Sequence, residues 1–281
     1  CVSRYRCTSC HGTDPQSSSQ PVTVLPCTEM GEPVTVSSTF PLPEWKTGIT
    51  SGKWCYCYCM PIRVLPLATG EYYHVFNRGV AKQPTFLDAL DYKHTLTTLG
   101  YYRHADPPFK LSRLLQMNLA ERAQVLRSLD QGDERLVDII CFVLMPNHFH
   151  LVLRQRVDGG ISTFLRRWTN SYTRYFNTRH ERVGSLFQGV FKAVHIHSNE
   201  LLLHISRYVH LNPPVSFVVR EEMLEQYPWS SLPDYLKGSS TLCDLAVVLS
   251  QFASPTAYHQ FVMDRADYGT DLERIKHLTL E

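Results

Sequence analysis

Leu136-Val137-Asp138-Ile139-Ile140-Cys141-Phe142-Val143-Leu144, Met145-Pro146-Asn147 and His148-Phe149-His150-Leu151-Val152-Leu153 follow one another without a break, and their reading decides the fold. The first nine residues are almost wholly apolar and of strand length, which predicts a central strand covered on both faces. A Met-Pro-Asn turn joins antiparallel neighbours, because a parallel crossover needs a dozen or more residues. The second strand therefore returns alongside the first. Side chains alternate along it, so His148 and His150 project from one side, close enough for both imidazoles to hold one metal ion. His-x-His is a short pattern, and histidines with satisfied nitrogens often sit half-buried, so spacing alone does not separate a ligand pair from a strand cap.

Upstream, Tyr72-Tyr73-His74-Val75-Phe76-Asn77 reads as a strand, followed by a turn at Arg78-Gly79 and a helix across about Leu87 to Leu99. Pro107-Pro108 breaks the pattern. The polar stretch Lys110 to Leu129, with Leu111, Leu115, Leu119, Ala123 and Leu126 at helical spacing, reads as one helix inserted at about 107–133. Downstream, Ile161 to Asn177 is a helix with Phe164, Leu165, Trp168, Tyr172, Tyr175 and Phe176 recurring at three and four. Residues 185–196 read as extended, either a strand pair or one long strand. Asn199 is the expected cap of a helix running from Glu200 to about Leu211 and stopped by Asn212-Pro213-Pro214. This order predicts an α+β fold, a ferredoxin/RRM-like sandwich with one central antiparallel sheet and helices on one face. A helical insertion and a C-terminal helical extension over 237–281 complete it.

With 281 residues and 43% hydrophobic content, the chain can bury a core of its own. The longest apolar run, Ile139 to Met145, is far too short to cross a bilayer, and no basic region followed by an apolar stretch stands near residue 1. No membrane partner and a cytoplasmic location are expected. Net charge is only +2, but its distribution is uneven. Arg154, Arg156, Arg166, Arg167, Arg174, Arg179, Arg182 and Lys192 face only Asp158 and Glu181 over the same span. Such a run is commonly a solvated helical face, and beside a metal site it is also what a phosphate backbone needs.

Seven of the nine cysteines, Cys1, Cys7, Cys10, Cys27, Cys55, Cys57 and Cys59, precede residue 60. The body of the chain thus reads as reduced and intracellular. Cys7-x-x-Cys10-His11 and Cys55-x-Cys57-x-Cys59 lack the paired spacing of a zinc finger. Residues 1–59 are rich in Ser, Thr, Pro and Cys with few periodic apolar positions, so a disordered or upstream mis-start segment is expected there, with Met60 as the working start. The main domain is expected at 60–236.

On the helix from Glu200, residues four apart share a face, so His204, Tyr208 and Asn212 form one stripe. Two histidines make an incomplete metal site. Asn212 is the first candidate for a third ligand, and His204 is the alternative. A lone tyrosine on a helix is more often a core aromatic with its hydroxyl at the surface.

Taken together, Met145-Pro146-Asn147-His148-Phe149-His150, Ser171-Tyr172-Thr173-Arg174-Tyr175-Phe176-Asn177, Leu186-Phe187-Gln188-Gly189, Arg207-Tyr208-Val209-His210-Leu211-Asn212-Pro213 and Tyr227-Pro228-Trp229-Ser230-Ser231 resemble the single-tyrosine HUH transposases, and among them the REP-associated tyrosine transposases. The resemblance runs from about Met60 to about Leu236. It implies that His148 and His150 are metal ligands for Mg²⁺ or Mn²⁺, that Tyr208 is the nucleophile, and that Asn212 helps complete the metal shell. It further implies nicking and rejoining of single-stranded DNA at hairpin-flanked sites through a 5′-phosphotyrosine, by a monomer or a homodimer. Arg154, Arg166, Arg167, Arg174, Arg179 and Lys192 are the candidate DNA-binding residues. Relatives commonly read Gly-Arg-Phe-Lys where this chain has Gly189-Val190-Phe191-Lys192, which removes one expected backbone contact. Two other readings keep the same fold: a catalytically idle hairpin-binding protein, and a metal-dependent phosphodiesterase that uses water.

Overall fold

The computed structural model describes residues 67–132 and 134–264, and all of them fall in one compact unit. The expectations for 1–59, for Met60, for the first seven cysteines and for 265–281 lie outside the described residues. Four strands form a single sheet: β1 (Tyr72–Arg78), β2 (Val137–Met145), β3 (His148–Gln155) and β4 (Lys192–Ile196). Their order is β2-β3-β1-β4, and every neighbouring pair is antiparallel. The fold is thus α+β with an antiparallel sheet flanked by helices, as expected.

The β2–β3 hairpin pairs Met145 with His148 across Pro146-Asn147, and every residue of β2 is buried. Strand alternation then divides β3. Phe149 meets Trp168 edge-on at 4.7 Å between ring centroids, whereas His150 meets Tyr208 at 5.4 Å. The odd residues therefore face the helix α4 (Gly160–Arg179) and the even ones face α5 (Asn199–Val215). Against α4 packs α1 (Ala89–Tyr102), which starts where the Asp88 side chain accepts from the N–H groups of Leu90 and Asp91. Helices thus cover both faces, where one covered face was expected. An apolar run as continuous as β2 demands this, since neither of its sides can meet water.

Along α4, Ile161, Phe164, Leu165, Trp168, Tyr172 and Phe176 are buried at the spacing of one helical face. Each large apolar side chain taken from water on that stripe contributes about 1.5–3 kcal/mol.

Several element boundaries differ from the sequence reading. The insertion contains two helices, α2 (Leu111–Gln116) and α3 (Leu119–Gln131), instead of one. The break is made by Asn118, whose side chain accepts from the Glu121 N–H while the Glu121 carboxylate accepts from the Asn118 N–H. Only Lys192–Ile196 of the expected extended stretch is strand, with Phe187 bridging to Gly79. Ser198, not Asn199, caps α5, accepting from Leu201 N–H at 3.1 Å. The helix also runs through Pro213 and Pro214 instead of stopping before them. Those prolines cannot donate and crowd the carbonyls four residues back, but they stand in the last turn, and the N–H of Ser216 still reaches Asn212 O at 2.9 Å. Asn212 therefore keeps its helical register with Tyr208.

The segment after α5 seals the outer edge of β2. Leu144 N–H donates to Trp229 O, Ser231 N–H to Phe142 O, and Phe142 N–H to Ser231 Oγ. Helices α6 (Leu232–Lys237), α7 (Ala246–Leu249) and α8 (Pro255–Met263) follow. Tyr235 donates to Ile140 O, and the Tyr258 hydroxyl lies 2.7 Å from His210 Nδ1, so this region shares the main core. No helix among the described residues is long and apolar enough to cross a membrane.

Candidate active site

Three elements converge on the even-numbered face of β3. The hairpin presents His148 and His150, α5 presents Tyr208 and Asn212, and β1 presents Phe76 directly across from His150 with His74 on the diagonal. The two ligand candidates meet at a right angle, their ring centroids 5.0 Å apart. Tyr208 stands edge-on to both His150 and His74. Asn212, one turn further on, brings Oδ1 to 3.2 Å from His148 Nε2. His204 lies elsewhere, 3.8 Å from Glu200 Oε1 and beside the Phe261 ring. The i,i+4 stripe drifts around the helix, so it keeps Tyr208 and Asn212 at the histidines and turns His204 toward α8.

The donor set fits a divalent cation on two counts. Asn147 is oriented by its own amide, which donates to Lys82 O at 3.3 Å, so its Oδ1 faces His148 Nδ1 at 2.7 Å. A neutral imidazole donates from one nitrogen only. His148 Nε2 and Asn212 Oδ1 lie 3.2 Å apart, close enough for one cation to be held by both. The second count is His150 Nε2, buried and without a hydrogen-bond partner. Burial first, then the neighbouring His74 and His148, hold the pKa of His150 well below the usual imidazole range. It stays neutral, as a ligand must be. Among the described residues no group of three or more His, Cys, Asp and Glu side chains gathers as a metal site, and the polar group beside the two histidines is the amide of Asn212.

A cleft of about 550 Å³ opens here, lined in part by His148, His150, Arg78, Lys82, Gln188 and Lys192. Of the basic residues singled out in the sequence, only Lys192 reaches it. Arg166 and Arg174 are exposed on α4, behind the sheet. Arg167 donates to Ala105 O, and Arg154 donates to Gly70 O while lying over the Tyr72 ring. Arg179 is engaged by Asp88 and Asp91, at 2.6 and 2.5 Å, joining the end of α4 to the start of α1. That clamp is structural.

Sequence reasoning missed Arg78, Lys82 and His74. The strand alternation of Tyr72 to Arg78 was a usable signal for His74 and Phe76, which fall on one face. The turn after β1 brings the two basic residues in. Gly79 is required there, because a Cβ would lie 2.1 Å from Gln83 O. Ala81 and Lys82 adopt left-handed φ values of 54° and 60°, strained for residues with a Cβ, at the mouth of the cleft. The Arg78 Nε–H donates to Gln188 Oε1 at 2.7 Å.

The other conspicuous residues of the motifs are structural. Tyr172 donates to Thr85 O at 2.6 Å, Tyr175 stacks on His94, and both nitrogens of His210 have partners, Tyr258 and Ser231.

Residues 118–212 match the family model described as "Transposase IS200 like". That segment holds His148, His150, Tyr208 and Asn212. No curated protein matches the chain. Five chains of solved structures do. One of them, a REP-associated tyrosine transposase bound to a REP hairpin, is similar at 15% identity with a TM-score of 0.43, covering 63% of this chain and 86% of that one.

Proposed function

We propose that this chain, whose central segment belongs to the IS200-like transposase family, cuts and rejoins single-stranded DNA through Tyr208. The observation that carries the reading is the placement of Tyr208 and Asn212, one helical turn apart, against His150 and His148 on one face of the sheet.

A phosphodiester is anionic and a poor electrophile, and a phenol is a weak nucleophile at neutral pH. His148, His150 and Asn212 would hold Mg²⁺ or Mn²⁺, which supplies charge neutralisation and alignment at the phosphoryl oxygens. Tyr208 Oη attacks phosphorus and the 3′-oxygen of the upstream nucleotide leaves, giving a 5′-phosphotyrosine and a free 3′-hydroxyl. The phenolic proton departs to solvent, and a proton from solvent completes the 3′-hydroxyl. Attack on the phosphotyrosine by another 3′-hydroxyl then reseals a strand and releases the phenol, with no external energy source. Arg78, Lys82 and Lys192 in the cleft supply positive charge for flanking phosphates.

Tyr208 is only 2% exposed, so the side chains around its ring must move for a phosphate to reach the hydroxyl. A single strand suits this geometry, since a base-paired backbone is too stiff and wide to follow a helix-covered cleft. Hairpins flanking the cut are the expected recognition elements, in keeping with the REP hairpin bound by the similar structure.

The test is incubation with single-stranded DNA labelled on the 3′ side of the cut, from the flanks of the gene, in Mn²⁺. A denaturation-resistant protein–DNA adduct is expected from the wild type and none from Tyr208→Phe, with hairpin binding preserved within a few fold. An adduct that survives in Tyr208→Phe overturns the assignment.

A further inference from the structure

His74 is a second fully buried histidine of this site, and no ligand role falls to it. It sits on β1, its ring stacked on His150 at 5.1 Å between centroids, with Nε2 3.0 Å from His150 Nδ1. One proton lies between those two nitrogens, and the tautomer decides which ring carries it. Two neutral rings sharing one hydrogen bond have two arrangements. In one, His150 carries its proton on Nδ1 and donates to His74, so that His150 Nε2 bears a lone pair. In the other, His74 donates, and His150 Nε2 carries a proton that blocks any cation.

We infer that His74 is a positioning residue that accepts the Nδ1 proton of His150 and so turns the Nε2 lone pair of His150 into the cleft for the metal. The inference rests on the metal reading above and adds a residue that the ligand pattern does not contain. Two observations support the direction of the bond. His150 Nε2 has no other hydrogen-bond partner and His150 lines the cleft, where a lone pair can take a cation, whereas His74, whose Nδ1 is equally without a partner, does not line it. The matching ligand, His148, is fixed in the same sense, with Nδ1 given to Asn147 and Nε2 turned toward Asn212. Each imidazole thus has a polar partner at its Nδ1, the outer-shell arrangement that orients metal-bound histidines. His74 Nδ1 is left as a buried N–H without a partner, and the bond tolerates that because the cation is gained in return.

Two measurements on the full chain test this. In Mn²⁺ titrations followed by electron paramagnetic resonance, His74→Phe keeps the stacked ring but removes the acceptor, and should weaken the dissociation constant by about 10–100-fold. His74→Gln, whose Oε1 accepts in the same direction, should stay within a few fold of wild type. Equal binding by wild type and a folded His74→Phe overturns the inference alone. A wild type that binds no Mn²⁺ overturns the metal reading and this inference together. The second measurement needs no variant: histidine ¹⁵N spectra of the wild type with Mg²⁺ should show His150 protonated at Nδ1, and a proton on its Nε2 overturns the inference. A purely structural role for His74 would leave both the tautomer and the Mn²⁺ affinity unmoved.

Discussion

Helices α4 and α5 look alike in the sequence, both amphipathic and both carrying tyrosines, yet they occupy opposite faces of the sheet. On α4, Tyr172 bonds to Thr85 O, Tyr175 stacks on His94 and Arg179 is held by two carboxylates. On α5, Tyr208 stands edge-on to His150, whose Nε2 has no hydrogen-bond partner, and Asn212 Oδ1 lies 3.2 Å from His148 Nε2. The difference comes from parity on β3, since Phe149 sends its ring to α4 and its two neighbours send theirs to α5. Nearness in sequence to His148 is no guide, because Tyr172 is closer than Tyr208 and lies on the wrong side.

The largest way to break this contrast is His148→Ala. It should reduce adduct formation in Mn²⁺ by more than about 100-fold while shifting stability by no more than about 0.5 kcal/mol, because the side chain is half-buried and its partners lie at the cleft. Near-normal cleavage in that variant would remove the metal site from the reading. On the other face, Trp168→Ala should cost about 3–5 kcal/mol in urea unfolding, since the ring is fully buried against Phe149 and Phe164. Cleavage measured well below its melting point should persist, which separates a packing face from a chemical one.

Acid sharpens the comparison further. His74 and His210 are held by burial to about 3 in the folded chain, against about 6.5 when unfolded. A lowered folded pKa means that the unfolded chain binds protons first, so stability falls as pH drops below about 6.5 and goes on falling toward 3. Each of the two should remove about 2 kcal/mol between pH 7.5 and pH 5. Urea midpoints at those two values check this, and an unchanged midpoint would show that these rings are not buried neutral. The smallest effect is expected for Tyr175→Phe, half-exposed on α4, whose adduct yield should stay within about twofold of wild type.

The hairpin, the histidine pair and the Tyr208–Asn212 stripe were legible in the sequence because each rests on a local period, two along a strand or 3.6 along a helix. What was not legible depends on pairing across the sheet. His74 joins the site only because β1 pairs with β3 in the register that sets His74 against Val152 and Phe76 against His150. The basic candidates failed for a related reason. A charge count shows how many arginines α4 carries, but tertiary packing decides that Arg179 meets Asp88 and Asp91 and that Arg166 and Arg174 stand behind the sheet. The Asn118-x-x-Glu121 capping box that splits the insertion is legible in the sequence, although the leucine spacing across it reads as one helix. The helical run through Pro213 and Pro214 was not legible, since each proline forgoes the N–H that a last turn donates to the carbonyl four residues back, and no local pattern shows that Ser216 N–H closes the turn on Asn212 O.

Residues 229–231 pair with Phe142 and Leu144 along one margin of the sheet, so that stretch of β2 is closed to a neighbouring molecule. Among the described residues, the opposite margin is β4, a strand of only 5 residues with Lys192 exposed on it. A margin that short and charged is a poor template for stray strand addition. The sheet can therefore carry the histidines of the candidate site on one face without presenting a long unpaired strand along either rim.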